Sequence, residues 1–90
     1  MAVDGTEELA AAFERETGCA LQLRDVLGMR MLLPVDDRFG TFGILVGRRA
    51  ALPHFQFKTR AYGGGVELVL YGKARERELD KVLKRITASF

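Results

Sequence analysis

The side chains in this chain that could do chemistry are few and stand far apart. There is one cysteine, Cys19, and one histidine, His54. A four-ligand zinc site needs more than these two supply, and a lone cysteine forms no internal disulfide. The single serine, Ser89, lies where a chain end frays rather than on an element that would hold a nucleophile. Asp36 and Asp37 adjoin, but with Arg38, Phe39 and Gly40 they have the composition of a turn, which explains two aspartates without an acid–base pair. Gly63, Gly64 and Gly65 would let a backbone approach a phosphate, yet no phosphate-loop lysine accompanies them, and a tight reversal accounts for all three. Cys19 reads as a small buried hydrophobe and His54 as a surface residue on a strand. The expectation is a non-catalytic protein with no cofactor and no metal.

The remaining chemistry is cationic. Net charge is +2 overall but unevenly spread: −4 over residues 1–19, +4 over residues 20–65 and +2 over residues 66–90. The densest positive point is Arg48-Arg49, directly after Gly47. Guanidinium forks match phosphate and carboxylate oxygens. With Arg24, Arg30, Lys58 and Arg60 they would form an anion-binding set, and Tyr62, Tyr71 or His54 would stack on bases. No helix-turn-helix is visible, and open sheets suit single strands, so RNA is favoured over DNA.

These residues must be held by elements. Residues 54–72 read as a hairpin. In its first arm His54, Gln56, Lys58 and Arg60 alternate with Phe55, Phe57, Thr59 and Ala61, the signature of a half-buried strand with a polar outer face. After the glycines, Val66, Leu68 and Leu70 alternate with Glu67, Val69 and Tyr71. Upstream, residues 6–17 read as a helix with an apolar stripe of Leu9, Ala10, Ala12, Phe13 and Thr17; Asp4 or Thr6 would cap it and Gly18 would end it. Residues 19–24 alternate, with Cys19, Leu21 and Leu23 inward. Residues 25–28 suit a turn, and Met29, Met31, Leu33 and Val35 share one face of a second strand; a helix over residues 19–35 is the alternative, since Leu, Arg and Met favour helices. Residues 41–47 are apolar or small on both faces, as a central strand would be. Residues 73–90 carry Leu79, Val82, Leu83, Ile86 and Phe90 at helical spacing.

Assembled, this is one α+β domain over residues 1–90: a two-layer sandwich of four to five short antiparallel strands flanked by an N-terminal and a C-terminal helix. The helices would cover the apolar face and leave a basic face outward, bearing Gln22, Arg24, Arg30, His54, Gln56, Lys58 and Arg60. The expected function is a binding module that engages an anionic partner, RNA first, through that face and the Arg48-Arg49 loop. The alternative is a protein–protein interaction or assembly subunit, a homodimer or adaptor, with Phe42, Val69 and Tyr71 in the interface. No apolar run approaches the ~18–20 residues of a membrane span, and the N-terminal residues lack a secretory pattern, so a cytoplasmic location is expected.

Overall fold

A computed structural model of the chain describes residues 5–26, 29–46, 58–62 and 65–88. The first helix, α1 (Thr6–Thr17), starts after Gly5 without a side-chain cap. Thr6, one of the two expected caps, is instead a buried residue inside the helix, and Asp4 lies outside the described residues. The other end is as expected: Gly18 takes φ 74°, and its N–H donates to the Glu14 carbonyl at 2.7 Å, the left-handed close that glycine allows.

Residues 19–35 form a hairpin rather than a helix. β1 (Leu21–Val26) and β2 (Met29–Pro34) run antiparallel with Leu23 opposite Leu32. Asp25 and Val26, expected in a turn, instead continue the ladder opposite Arg30 and Met29; residues 27 and 28 lie outside the described residues. β3 (Gly40–Val46) follows, then β4 (Lys58–Tyr62) and β5 (Val66–Ala74). The expected strand residues 54–57 lie outside the described residues. β5 runs on to Ala74, which pairs with Gly40, so the last helix, α2 (Glu76–Thr87), begins later than residue 73.

All five strands form one antiparallel sheet in the order β1-β2-β3-β5-β4. β3 is central, as its two-sided apolar character implies. Both helices lie on one face. There Leu9 and Phe13 of α1 and Leu79, Leu83 and Ile86 of α2 close over Leu32, Phe42, Ile44, Val66, Leu68 and Leu70, with Cys19 at the margin. The rings of Phe39 and Phe42 stand 6.1 and 5.8 Å from that of Phe13, at 69° and 43°, within the range of favourable aromatic pairs. Gly40 makes the entry to β3 possible. It has φ 85°, and a Cβ there would run into the Lys73 carbonyl of β5.

The register corrects the expected facing of β4. Tyr62 pairs with Val66, Arg60 with Leu68 and Lys58 with Leu70. Directly opposed residues of an antiparallel pair point to the same side of a sheet. Lys58 and Arg60 therefore face the helices, and Thr59 and Ala61 face outward. β4 is the sheet edge beside α2, so Arg60 on the helix side reaches Glu76 and Asp80 of that helix while staying partly exposed.

Candidate binding surface

The cations expected to share one face are divided by the sheet. Arg24 lies outward, opposite Met31, and its guanidinium donates to Gln22 Oε1 at 2.9 Å. Arg30, opposite Asp25, shares the helix side with Leu23 and Leu32. Lys58 and Arg60 occupy that same side at the far edge. Arg48 and Arg49, like His54, lie outside the described residues.

Arg60 is also engaged. Its Nη2 meets Glu76 Oε1 at 2.9 Å and its Nη1 meets Asp80 Oδ1 at 3.1 Å. Asp80 is the hub of this cluster: it accepts from the Tyr62 hydroxyl at 2.7 Å and pairs through Oδ2 with Lys84 at 3.2 Å. The bond from Tyr62, reinforced by Arg60 and Lys84, holds the Asp80 carboxyl down to about 2. The Tyr62 phenol is pushed up, first by burial and then by its bond to that carboxylate. The cluster ties β4 to α2. It uses Arg60 and Tyr62 for that purpose, and neither the alternation of β4 nor the helical spacing of α2 announces it.

The opposite face of the sheet carries what the charge pattern hid. Met31, Leu45 and Val69 form a second buried apolar cluster, flanked by Val26, Leu33 and Tyr71. No helix residue belongs to it. Gly43 sits in its middle. A Cβ there would collide with the Met31 methyl and come within 3.1 Å of Leu33 Cδ2 and 3.2 Å of Tyr71 Cε2. The missing side chain is thus the slot through which Tyr71 reaches across β3 to Met31, donating its hydroxyl to Met31 Sδ at 3.2 Å. Burial pushes the Tyr71 phenol up.

Beside this cluster opens a groove of about 620 Å³, whose lining includes Val26, Leu33, Val35, Thr41 and Tyr71 together with Asp36 and Asp37. Val35 is 50% exposed. The two carboxylates differ. Asp36 accepts from the Arg38 backbone N–H at 3.1 Å and from Arg38 Nε at 3.3 Å, and the first of these bonds does most to lower its pKa. Asp37 is exposed and has no ion-pair partner among the described residues.

Of the three residues expected at an interface, Val69 and Tyr71 lie on this outward face. Phe42 does not: it is 1% exposed, because alternate residues of β3 turn toward the helices and Phe42 is one of them. Cys19 is fully buried. Desolvation first, and Asp36 second, push its thiol up, the reverse of what a reactive cysteine needs. Among the described residues no group of three His, Cys, Asp or Glu side chains stands close enough to hold a metal, and no helix is long and apolar enough to cross a membrane. Comparison with protein-family models, with curated proteins and with solved structures returned no match.

Proposed function

We propose that this protein is a non-catalytic binding module that receives a segment of a partner protein on the outer face of its sheet. The observation that carries the reading is the groove on the side neither helix covers, lined by Val26, Leu33, Val35, Thr41 and Tyr71, with Val35 half exposed and the buried cluster of Met31, Leu45 and Val69 beside it. A groove lined by apolar side chains with a few polar groups among them is what binding clefts are built from, and its volume falls within their ~300–1,000 Å³. An apolar side chain enters past Val35 and Tyr71. A lysine or arginine next to it meets Asp37, and Asp36 adds to the negative field.

The anionic-partner reading, with RNA first, has the weaker support. A shared basic face would need Arg24, Arg30, Lys58 and Arg60 on one side of the sheet, whereas the strand pairing puts Arg24 opposite the other three and ties Arg60 to Glu76 and Asp80. What remains for it is Arg48 and Arg49, with Arg30 and Lys58 exposed on one side of the sheet.

A synthetic peptide array that pairs an apolar residue with either a basic or an acidic neighbour tests the proposal. Basic peptides are selected, Val35→Asp weakens their binding at least about tenfold, and Asp37→Lys shifts selection toward acidic peptides. Selection blind to charge, or binding indifferent to both substitutions, refutes it. Salt-sensitive binding of an RNA homopolymer that collapses in the Arg48→Glu, Arg49→Glu double variant would install the RNA reading instead.

A further inference from the structure

The two free edges of the sheet are not alike. β4 is guarded: it is five residues long, carries Lys58 and Arg60, and is strapped to α2 through the Asp80 cluster. Short, charged, helix-covered strands resist further pairing. β1 carries one charge of each sign, Arg24 and Asp25, but among the described residues no side-chain bond straps it to a helix. It spans six residues, four successive positions, Gln22 to Asp25, are exposed, and among the described residues no strand lies along its outer side. Leu23, in its middle, faces the helix side yet is 45% exposed. It pairs with the buried Leu32 on one flank, and among the described residues no strand offers it an apolar neighbour on the other.

We infer that β1 pairs with β1 of a second copy of this chain, making one continuous ten-stranded antiparallel sheet about a two-fold axis through Leu23. Parity and charge narrow the register, and the exposed Leu23, which needs an apolar partner, selects the axis among those left. Opposed residues must share a face, so only pairings that match outward with outward and inward with inward residues are allowed. Centring the axis on Arg24 sets Arg24 against its own copy, a like-charge pair that destabilises. Centring it on Leu23 sets leucine against leucine, Gln22 against Arg24 and Leu21 against Asp25, with no like charges opposed. Gln22 and Arg24 already bond within one chain at 2.9 Å, and the same donor and acceptor are offered across the axis. The second copy supplies the apolar neighbour that Leu23 lacks. An isologous contact of this kind closes at two subunits, and it leaves the groove at Val35 and Tyr71 on the outward face.

Cysteine cross-linking reads the register. Opposed residues of an antiparallel pair have Cα atoms about 4.5–5.5 Å apart, inside the ~4.4–6.8 Å range a disulfide accepts. Under mild oxidation Leu23→Cys forms a covalent dimer, whereas Thr59→Cys on the guarded edge does not; the buried Cys19 of the parent chain is the background control. In sedimentation Leu23→Lys, a change at a half-exposed position verified as folded by circular dichroism, weakens self-association at least about tenfold. Val35→Asp leaves association unchanged, which separates this surface from the peptide groove. A parent chain that stays monomeric at the cross-linking concentration, Leu23→Cys cross-linking no faster than Thr59→Cys, or association indifferent to Leu23→Lys overturns the inference.

Discussion

Adding one methyl group at Gly43 tests whether the outer apolar cluster is a packed layer or a loose patch. The Cβ of Gly43→Ala falls on the Met31 methyl and presses on Leu33 and Tyr71 at 3.1 and 3.2 Å. Overpacking of this kind costs about 1–3 kcal/mol. The backbone entropy that alanine saves over glycine in a strand returns about 0.5–1 kcal/mol. The net cost is about 0–2.5 kcal/mol, or a melting point lower by up to about 20 °C at the ~4–8 °C per kcal/mol of a domain this size. Met31→Ala alone leaves a hole beneath Tyr71 and removes the acceptor of its hydroxyl, at a cost toward the lower end of the ~2–5 kcal/mol typical of buried methionine. With Met31 already truncated, the alanine at position 43 meets only the milder contacts, and its entropic gain prevails. Gly43→Ala then stabilises by about 0.5 kcal/mol. The coupling between the two sites is thus about 0.5–3 kcal/mol, the range of residues in direct contact. Urea melts of the four proteins, fitted with a common slope, measure it. Additivity within about 0.5 kcal/mol would show that Met31 and Tyr71 do not meet over Gly43, and the packed outer layer would fall with it.

Two further outcomes follow from other parts of the fold. The Asp80 carboxyl sits at about 2 when folded against an ordinary 3.8, so its contribution is full above the ordinary value and disappears as pH falls from about 4 toward 2; melting points of Asp80→Asn and the parent converge across that interval, and a constant gap would refute the cluster. Gly40→Ala must adopt the left-handed region, at about 1–2 kcal/mol, and must also push β5 off its backbone contact. A loss of about 3 kcal/mol or more and a melting point lower by at least about 12 °C are expected in calorimetry, and a near-neutral result would place β3 and β5 differently.

Local patterns located nearly every described element, and they failed where the question was which side an element shows to which neighbour. The stripe of Leu79, Val82, Leu83 and Ile86 fixed both the existence and the buried face of α2, because a helix has one apolar stripe and one way to bury it. β4 alternates just as cleanly, but alternation defines two faces without saying which meets the core. The polar set, Lys58 and Arg60, would be assigned to solvent, and it lies over the helices. The correction was within reach of hairpin arithmetic: a three-residue glycine connection sets Tyr62 opposite Val66 and so puts Arg60 on the side of Leu68 and Lys58 on that of Leu70, whose burial was never in question. Phe42 went astray for a related reason. β3 is apolar on both sides, and only its pairing with Leu70 shows that the phenylalanine belongs beneath α1. The outer groove was hidden more deeply, since Val26, Leu33, Val35 and Tyr71 come from three strands and a loop and converge only through the sheet order.

The placement of α2 governs how this protein is made. The helix comes after all five strands and supplies Leu79, Leu83 and Ile86 to the main core, and its Arg85 reaches back to Glu16 of α1 at 2.9 Å. While a ribosome is still adding these residues, the greasy side of the sheet has half its lid. Part of that apolar face stays bare until the helix leaves the exit tunnel, so folding is completed late, and nascent chains stalled ahead of Glu76 are the species that holdase chaperones should retain.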